Sequence, residues 1–437
     1  MHLKKLKIQN FRCYEEIEVS FDPQVNVFVG NNGAGKSAIL DAVAGAFFPF
    51  IQKLLSNYRF RPMAHMISES DLRVSEGKTA KELAFETHLT DERTWRVMFS
   101  NPPALEEPLR LSFDFPHLAN IWSVAQMETD APTPIPILAY YGSNRNIEKL
   151  ADVRTMDSRK FGRIDALRNA LHAASDYDDV AEWFFFREVE ELQQGRERQE
   201  LNFRLHDLSQ VRRAVTSIIK QSTRVFFRQR EKATLMVEWV DAKGDRKELT
   251  LKQLSDGFRN MLALVMDYAR RMAQANPHLE DPLAVPGILL IDEIDLHLHP
   301  QWQQSIIPDL VKLFPNTQLI VTTHSPEVVT TVHQSQVQIL EDYQIYPCPS
   351  PTFGMSSAEV VRSVSVSNSF APTTKSHRIS LPFLMRLTRR GWMTQNRFGR
   401  SCDKGIVMVS IQTSFGPTWA SADLSGGVFS EECFEIR

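Results

Sequence analysis

The sequence predicts an α/β fold: a mixed sheet with flanking helices, an antiparallel β subdomain and a helical insertion. Three observations predict it. A glycine-rich loop joins the apolar run VNVFV to the helically spaced run KSAILDAVAGAFF. Two later apolar runs, GILLIDE and QLIVTTHSP, lack the alternation of a half-exposed strand and read as strands buried on both faces of a parallel sheet. Between these parts, residues 150 to about 225 are charged and helical in period, without a long heptad series, which fits a compact insertion and not a coiled-coil arm.

In chain order, LKKLKIQNFRCYEEIEVSF alternates apolar and polar residues, the pattern of two antiparallel strands of a half-exposed sheet. VNVFVG follows as a buried strand and is succeeded by a helix. Residues 82–115 read as further strands around an NPPALEEP loop, and PIPILAYYG as an apolar strand closed by Gly142. After the insertion, ATLMVEWVDAKGDRKELTL reads as a hairpin turning at Ala242-Lys243-Gly244-Asp245. Helices and strands alternate from 254 to about 340, with no internal repeat. The expected division is an N-terminal lobe over 1–149, the helical insertion over 150–228, a C-terminal lobe over 229–345 and a divergent tail over 346–437.

The 437 residues, 43% hydrophobic and 24% charged, suit a globular protein that buries a large core. A formal net charge of −3 gives no global basic field for nucleic acid and leaves only local patches. Cys13, Cys348, Cys402 and Cys433 are scattered without a C-x-x-C pair, which argues against a zinc site or disulfide framework and fits a reducing compartment. The N-terminus lacks the apolar core of a signal peptide. The most apolar window, ILDAVAGAFFPFI, is too short for a bilayer and contains Asp41. The expected location is the cytoplasm, with no membrane partner.

Gly30-Asn31-Asn32-Gly33-Ala34-Gly35-Lys36-Ser37 fits G-x-x-x-x-G-K-[ST] in strand–loop–helix context. Glycines let backbone N–H groups close around phosphate oxygens. Lys36 is placed to reach the β- and γ-phosphates of ATP, Ser37 to ligate Mg²⁺, and the helix N-terminus adds a favourable dipole. A chance match arises in roughly one chain in a hundred of this size.

The apolar strand of GILLIDE ends at Asp292 and Glu293, where parallel sheets place ligands. Asp292 would face the Mg²⁺ held by Ser37, and Glu293 would polarise the attacking water as general base. His297 and His299 follow. They suit a transition-metal site or, more plainly, a loop and helix start before Pro300; with the phosphate loop in place we read the second. Asp295 is expected to reach across a subunit boundary. The buried strand 318–322 leads to His324, suited to a hydrogen bond with the γ-phosphate or its water. LSDGFRNMLALVMDYARRM begins at the caps Ser255 and Asp256 and presents Phe258, Met261, Leu262, Val265, Ala269 and Met272 on one helical face.

IQNFR, GNNGAGKS, LSDG, ILLIDEIDLHLHPQ and IVTTHSP, in that order, resemble the ABC-type P-loop NTPase heads of the SMC, RecF and overcoming-lysogenization-defect ATPases. PILAYYGSNR and SPTFGMSSAEVVRSV further resemble the stand-alone bacterial ATP-binding group that includes the PtuA ATPase of Septu and retron anti-phage systems. This resemblance implies an ATP-hydrolysing switch in defence, working with a separate effector such as an HNH nuclease. It implies two heads sandwiching two ATPs as a homodimer or higher oligomer, with Ser255-Asp256-Gly257 of one meeting the γ-phosphate at Lys36 of the other. Arg12 matches a phosphate-contacting arginine of the family or, alternatively, is a surface strand residue. No Q-loop glutamine is identified, and Arg145 is the stand-in.

The resemblance covers about three quarters of the chain and ends near residue 363, where an amphipathic helical tail is expected. The actual tail is rich in Ser, Thr, Arg and Trp, compatible with a divergent small domain, a disordered tail or the product of an altered reading frame. Its segment RLTRRGWMTQNRFGR suits contact with nucleic acid or a solvated loop. The alternative function is a DNA-repair or chromosome-maintenance ATPase of RecF or SMC type. The LSDGFRN signature speaks against a transporter subunit, and the single acid pair Glu341-Asp342 against a nuclease in cis.

Overall fold

The computed structural model describes residues 2–56, 67–100, 110–114, 133–143, 161–173, 177–229, 233–241, 243–364, 401–402, 406–413 and 416–423. Strands β1 (Leu3–Phe11) and β2 (Tyr14–Ser20) form the expected antiparallel pair, with Ile8 opposite Ile17. Leu3, Leu6, Ile8 and Phe11 face the core, while Lys5 and Lys7 meet Glu18 and Glu16 on the solvated face, 2.6 Å each. Next come β3 (Val25–Gly30), buried throughout, and α1 (Lys36–Ser56). A two-residue pair, β4 (Val74–Ser75) and β5 (Lys78–Thr79), precedes β6 (Glu82–Leu89), β7 (Thr94–Ser100) and β8 (Arg110–Asp114). The last three extend β2–β1 into a five-stranded antiparallel sheet, the subdomain that the alternation announces. It packs on α1, where Trp95 Nε1 donates to the Ala46 carbonyl at 3.0 Å.

Strand β9 (Ile137–Tyr141) leads toward the insertion, whose helices are α2 (Asp178–Glu197) and α3 (His206–Ile218). Arg212, from α3, holds Glu188 and Glu191 on α2 at 2.7 and 2.8 Å, so the two helices form a short clasped hairpin. The helices stop there: residues 222–228, which we expected to be helical, belong to strand β10 (Ser222–Gln229). It pairs with β11 (Ala233–Val240), and β11 with β12 (Arg246–Thr250) through the expected hairpin, where Gly244 adopts φ +88° and Asp241 accepts from the amides of Lys243 and Asp245.

Helix α4 (Asp256–Ala275) and strand β13 (Gly287–Ile291) follow. Then come α5 (Pro300–Gln303), α6 (Ile306–Leu313), β14 (Thr317–Thr323), α7 (Pro326–Val329), β15 (Val337–Glu341), β16 (Gln344–Pro347) and α8 (Ser357–Val364). The central sheet runs β16-β15-β3-β14-β13-β9, parallel except for β16. In-register pairing of Ile291 with Tyr141 and Val321, and of Val29 with Thr323, brings the C-terminal ends of four strands to one edge.

Helix α4 departs from the single apolar face expected of it, for every residue from Asn260 to Ala275 is buried. Most of its buried polar groups find partners within the protein, Arg270 Nε being an exception. Asp267 accepts from Arg270, from Arg271 at 2.8 Å and from the Tyr141 hydroxyl at 2.8 Å. Arg271 Nη1 donates to the carbonyls of Ala166 and Arg168, and Gln274 to that of Gly162. The central helix is thereby bolted to β9 and to the start of the insertion.

Residues 372–437 form a separate compact unit. It contains a three-stranded antiparallel sheet of β17 (Ser401–Cys402), β18 (Ile406–Thr413) and β19 (Gly416–Asp423). The basic segment RLTRRGWMTQNRFGR lies outside the described residues, as does Arg145.

Candidate functional site

The loop from β3 to α1 occupies the C-terminal edge of the central sheet. Gly30 cannot carry a side chain, because a Cβ there would lie 2.5 Å from the Leu340 carbonyl. Gly33 and Gly35 sit at φ +80° and +98°, where L-residues are strained. Gly35 is also capped: the Tyr14 hydroxyl donates to its carbonyl at 2.9 Å and fills the space of a side chain. Asn31, Asn32 and Gly33 are exposed, so the concave face of the loop is open to a ligand. The Lys36 ammonium donates to the carbonyls of Gly30 and Asn31 at 2.8 and 3.0 Å, folded back across the loop. Burial lowers its pKa, and Asp292, Glu293 and Asp295 pull the other way.

Ser37, in the first turn of α1, meets Asp292 just past β13. Its Oγ lies 3.1 and 2.9 Å from the two carboxylate oxygens. A hydroxyl and a carboxylate facing each other beside a phosphate loop are the hard oxygen donors that Mg²⁺ takes. Among the described residues, no three His, Cys, Asp or Glu converge on a metal site. His297 and His299 are exposed, and His299 Nδ1 accepts the Gln301 amide at 3.4 Å as the cap of α5.

The acidic turn after β13 is held by the end of β14. Thr322 Oγ1 donates to Asp292 Oδ1 at 2.6 Å and accepts the Glu293 amide at 2.8 Å, while its carbonyl accepts the Ile294 amide at 3.0 Å. Thr323 Oγ1 donates to Asp295 Oδ1 at 2.5 Å, and the His324 amide donates to the same oxygen at 3.4 Å. Glu293 sits at φ +49°, a left-handed conformation uncommon for a non-glycine residue. Asp295 Oδ1 is thus held by the end of β14. His324 is half-buried, and burial together with the Lys36 charge lowers its pKa, so its imidazole is neutral at pH 7.

Arg12 is engaged by two acids. Its Nε donates to Asp71 at 2.7 Å, Nη1 pairs with Asp41, and its amide donates to the Asp71 carbonyl at 2.7 Å. Asp41 lies one turn beyond Ser37 and also takes a hydrogen bond from Tyr140. Burial raises the Asp41 carboxyl and the Arg12 charge opposes that rise.

Ser255 and Asp256 are exposed at the start of α4. Gly257 beside them is buried, and a Cβ there would lie 2.5 Å from the His297 carbonyl. Phe258 stacks edge-on between Trp239 and Trp302, with centroids 4.7 and 4.2 Å away. The first turn of α4 therefore rests on the loop that follows the acidic turn.

Sequence reasoning missed Thr322, Thr323, Tyr14, Asp41 and Asp71. The two threonines stand inside IVTTHSP beside His324, and the paired hydroxyls at a strand end were the available signal. Asp71 carried none, since its role exists only through contact with Arg12.

A phosphate loop, a carboxylate facing its serine and a second acid at the same sheet edge define an ATPase of ABC type. The chain belongs to the AAA family described as "AAA domain, putative AbiEii toxin, Type IV TA system", whose model matches residues 25–330. It is similar to "Retron Vc95 probable ATPase" of Vibrio cholerae serotype O1 biovar El Tor, 27% identical over 84% of this chain and 80% of that protein. It is also similar to "Septu protein PtuA" of Bacillus thuringiensis, 23% identical over 79% of this chain and 78% of that protein. Among solved structures, the SMC head domain from Thermotoga maritima matches 80% of this chain and 100% of its own, with 15% identity and a TM-score of 0.41.

Proposed function

We propose that the chain is the ATPase of an anti-phage defence system, a dimerising nucleotide switch that controls a separately encoded nuclease effector, for example one of HNH type. The defence assignment is supported by the similarity to retron and Septu proteins. The switch is supported by one observation above all: the first turn of α4, with Ser255 and Asp256 exposed and no side-chain cap on its amides, offers donors and positive dipole to an outside anion. In this reading, Ser255-Asp256-Gly257 of one head completes the phosphate site around Lys36 of its twin, and Asp295 faces the same boundary. The lobes over 1–149 and 229–345 build the head, and the assembly is cytoplasmic.

Backbone amides of Gly30, Asn31, Asn32, Gly33, Ala34 and Gly35 cradle the ATP phosphates, and Lys36 exchanges its carbonyl partners for phosphate oxygens. Arg12 exchanges Asp41 or Asp71 for another. Ser37 and Asp292 would hold Mg²⁺, which would supply positive charge against that of the phosphates. Glu293 takes a proton from water as its oxygen attacks the γ-phosphorus. The bond to the bridging oxygen breaks, giving ADP and phosphate, while neutral His324 orients the water or the leaving phosphoryl group.

Glu293→Gln is the test. ATP binding is retained, turnover falls about 10²–10⁴-fold, and light scattering after gel filtration with ATP reports a trapped dimer. Unchanged hydrolysis would remove Glu293 from its role. An ATP-loaded variant that stays monomeric would sink the switch while leaving the ATPase standing.

A further inference from the structure

We infer that Thr322 is a positioning residue for the ATPase reaction, a single buried hydroxyl that sets the geometry of Asp292 and Glu293 together. The inference rests on the ATPase reading of the site. Thr322 is fully buried at the C-terminal end of β14, next to β13 in the central sheet. Its hydroxyl has one proton to give, and that goes to Asp292 Oδ1 at 2.6 Å; a lone pair accepts the Glu293 amide at 2.8 Å. Both partners are thereby placed by one atom. The Thr322 carbonyl fixes the next residue by accepting the Ile294 amide at 3.0 Å, so three consecutive residues of the acidic turn register on one residue of β14.

Ser37 Oγ also lies within hydrogen-bond distance of both Asp292 oxygens, but it stands in the first turn of α1, beside the phosphate loop, whereas Thr322 approaches from the core of the sheet. Thr322 reaches Oδ1 from the neighbouring strand, where its own backbone is fixed by pairing with β3. β-branching confines the threonine side chain to few χ1 rotamers, which makes the hydroxyl a fixed reference point. A second constraint acts on Glu293. Its φ of +49° is costly for a non-glycine residue, and the Thr322 bond to its amide helps hold that peptide in place.

Thr322→Val keeps the shape of the side chain and removes the hydroxyl; Thr322→Ser keeps the hydroxyl and loosens it. The full chain is assayed for ATP turnover against ATP and against Mg²⁺, and binding of a fluorescent ATP analogue is titrated with and without Mg²⁺. Thr322→Val is expected to lower kcat on the order of ten- to a hundredfold, as a displacement of about 1 Å in a catalytic group does. KM for ATP stays within about twofold, the Mg²⁺-free affinity is unchanged, and the gain in affinity on adding Mg²⁺ shrinks. Thr322→Ser restores most of the turnover. A loss of turnover matched by an equal loss of folded protein, with no recovery in the serine variant, would make Thr322 merely structural and overturn the inference. So would a valine variant with unchanged kcat and Mg²⁺ dependence. Wild-type protein that fails to hydrolyse ATP would instead overturn the ATPase reading, and the Mg²⁺ dependence of binding would still decide the case for Thr322.

Discussion

His324 shows how few atoms decide a protonation state at this edge of the sheet. Burial disfavours its charged form, the Lys36 ammonium adds repulsion, and Asp295 and Asp292 offset only part of this. Its folded pKa therefore lies below the ordinary value of 6.5. The unfolded chain binds a proton near that pH that the folded chain refuses, so this residue makes stability fall as pH drops from about 6.5 through the folded pKa. His324→Asn is expected to flatten the acid side of the melting-temperature profile between about pH 7 and 5, and parallel profiles for wild type and variant would reject the assignment. Lys36, Ser37 and Asp292 were legible from motif spacing because backbone geometry alone dictates where they stand. Thr322 and Asp71 were not, because each acts through a partner brought near by the fold; Ser37 and Asp292 themselves are 255 positions apart.

Helix α4 is the element where the sequence misleads most usefully. Its apolar residues do follow a helical period, which predicts one buried face and one wet one. The polar residues on the other face are buried too, because Asp267, Arg270, Arg271 and Gln274 satisfy one another and nearby carbonyls. No local pattern distinguishes such a face from a solvated one. Strand β10 was hidden for a related reason: Arg224 and Arg228 flank Phe226, with guanidinium carbons 4.6 and 5.6 Å from its ring, so its composition merges with that of the charged helix before it. The start of α4 depends instead on aromatic packing. Phe258→Ala removes the ring between Trp239 and Trp302 and is expected to cost about 2–4 kcal/mol, somewhat below a fully buried phenylalanine. Urea unfolding followed by tryptophan fluorescence measures it, and a loss under about 1 kcal/mol would show that the stack contributes little beyond a surface contact.

At the scale of the molecule, the alternation of β1 and β2, the unbroken apolar runs of β3, β13 and β14, and the compact insertion all follow from the sequence. The order of the sheet does not, since it places β3 between β15 and β14 through contacts spanning some 300 positions. What fastens the insertion to the head is a buried charge group. Arg271 reaches the carbonyls of Ala166 and Arg168, Arg168 pairs with Asp179 on α2 at 2.8 Å, and Asp267 is held by Tyr141 of β9. Burial works against the charge on Asp267, but Arg271 and Arg270 overcome it and hold its carboxyl far below the usual range. Asp267→Asn would leave two buried guanidinium groups facing one neutral amide and is expected to destabilise the chain by about 3–5 kcal/mol. Chemical denaturation measures that loss. A variant as stable as the parent would mean that carbonyls alone suffice for both arginines.

Consider finally the missing side chain of Gly257, pressed 2.5 Å (for a would-be Cβ) from the His297 carbonyl. With no slack between them, the first turn of α4 and the loop that follows Asp292 and Glu293 can shift only together.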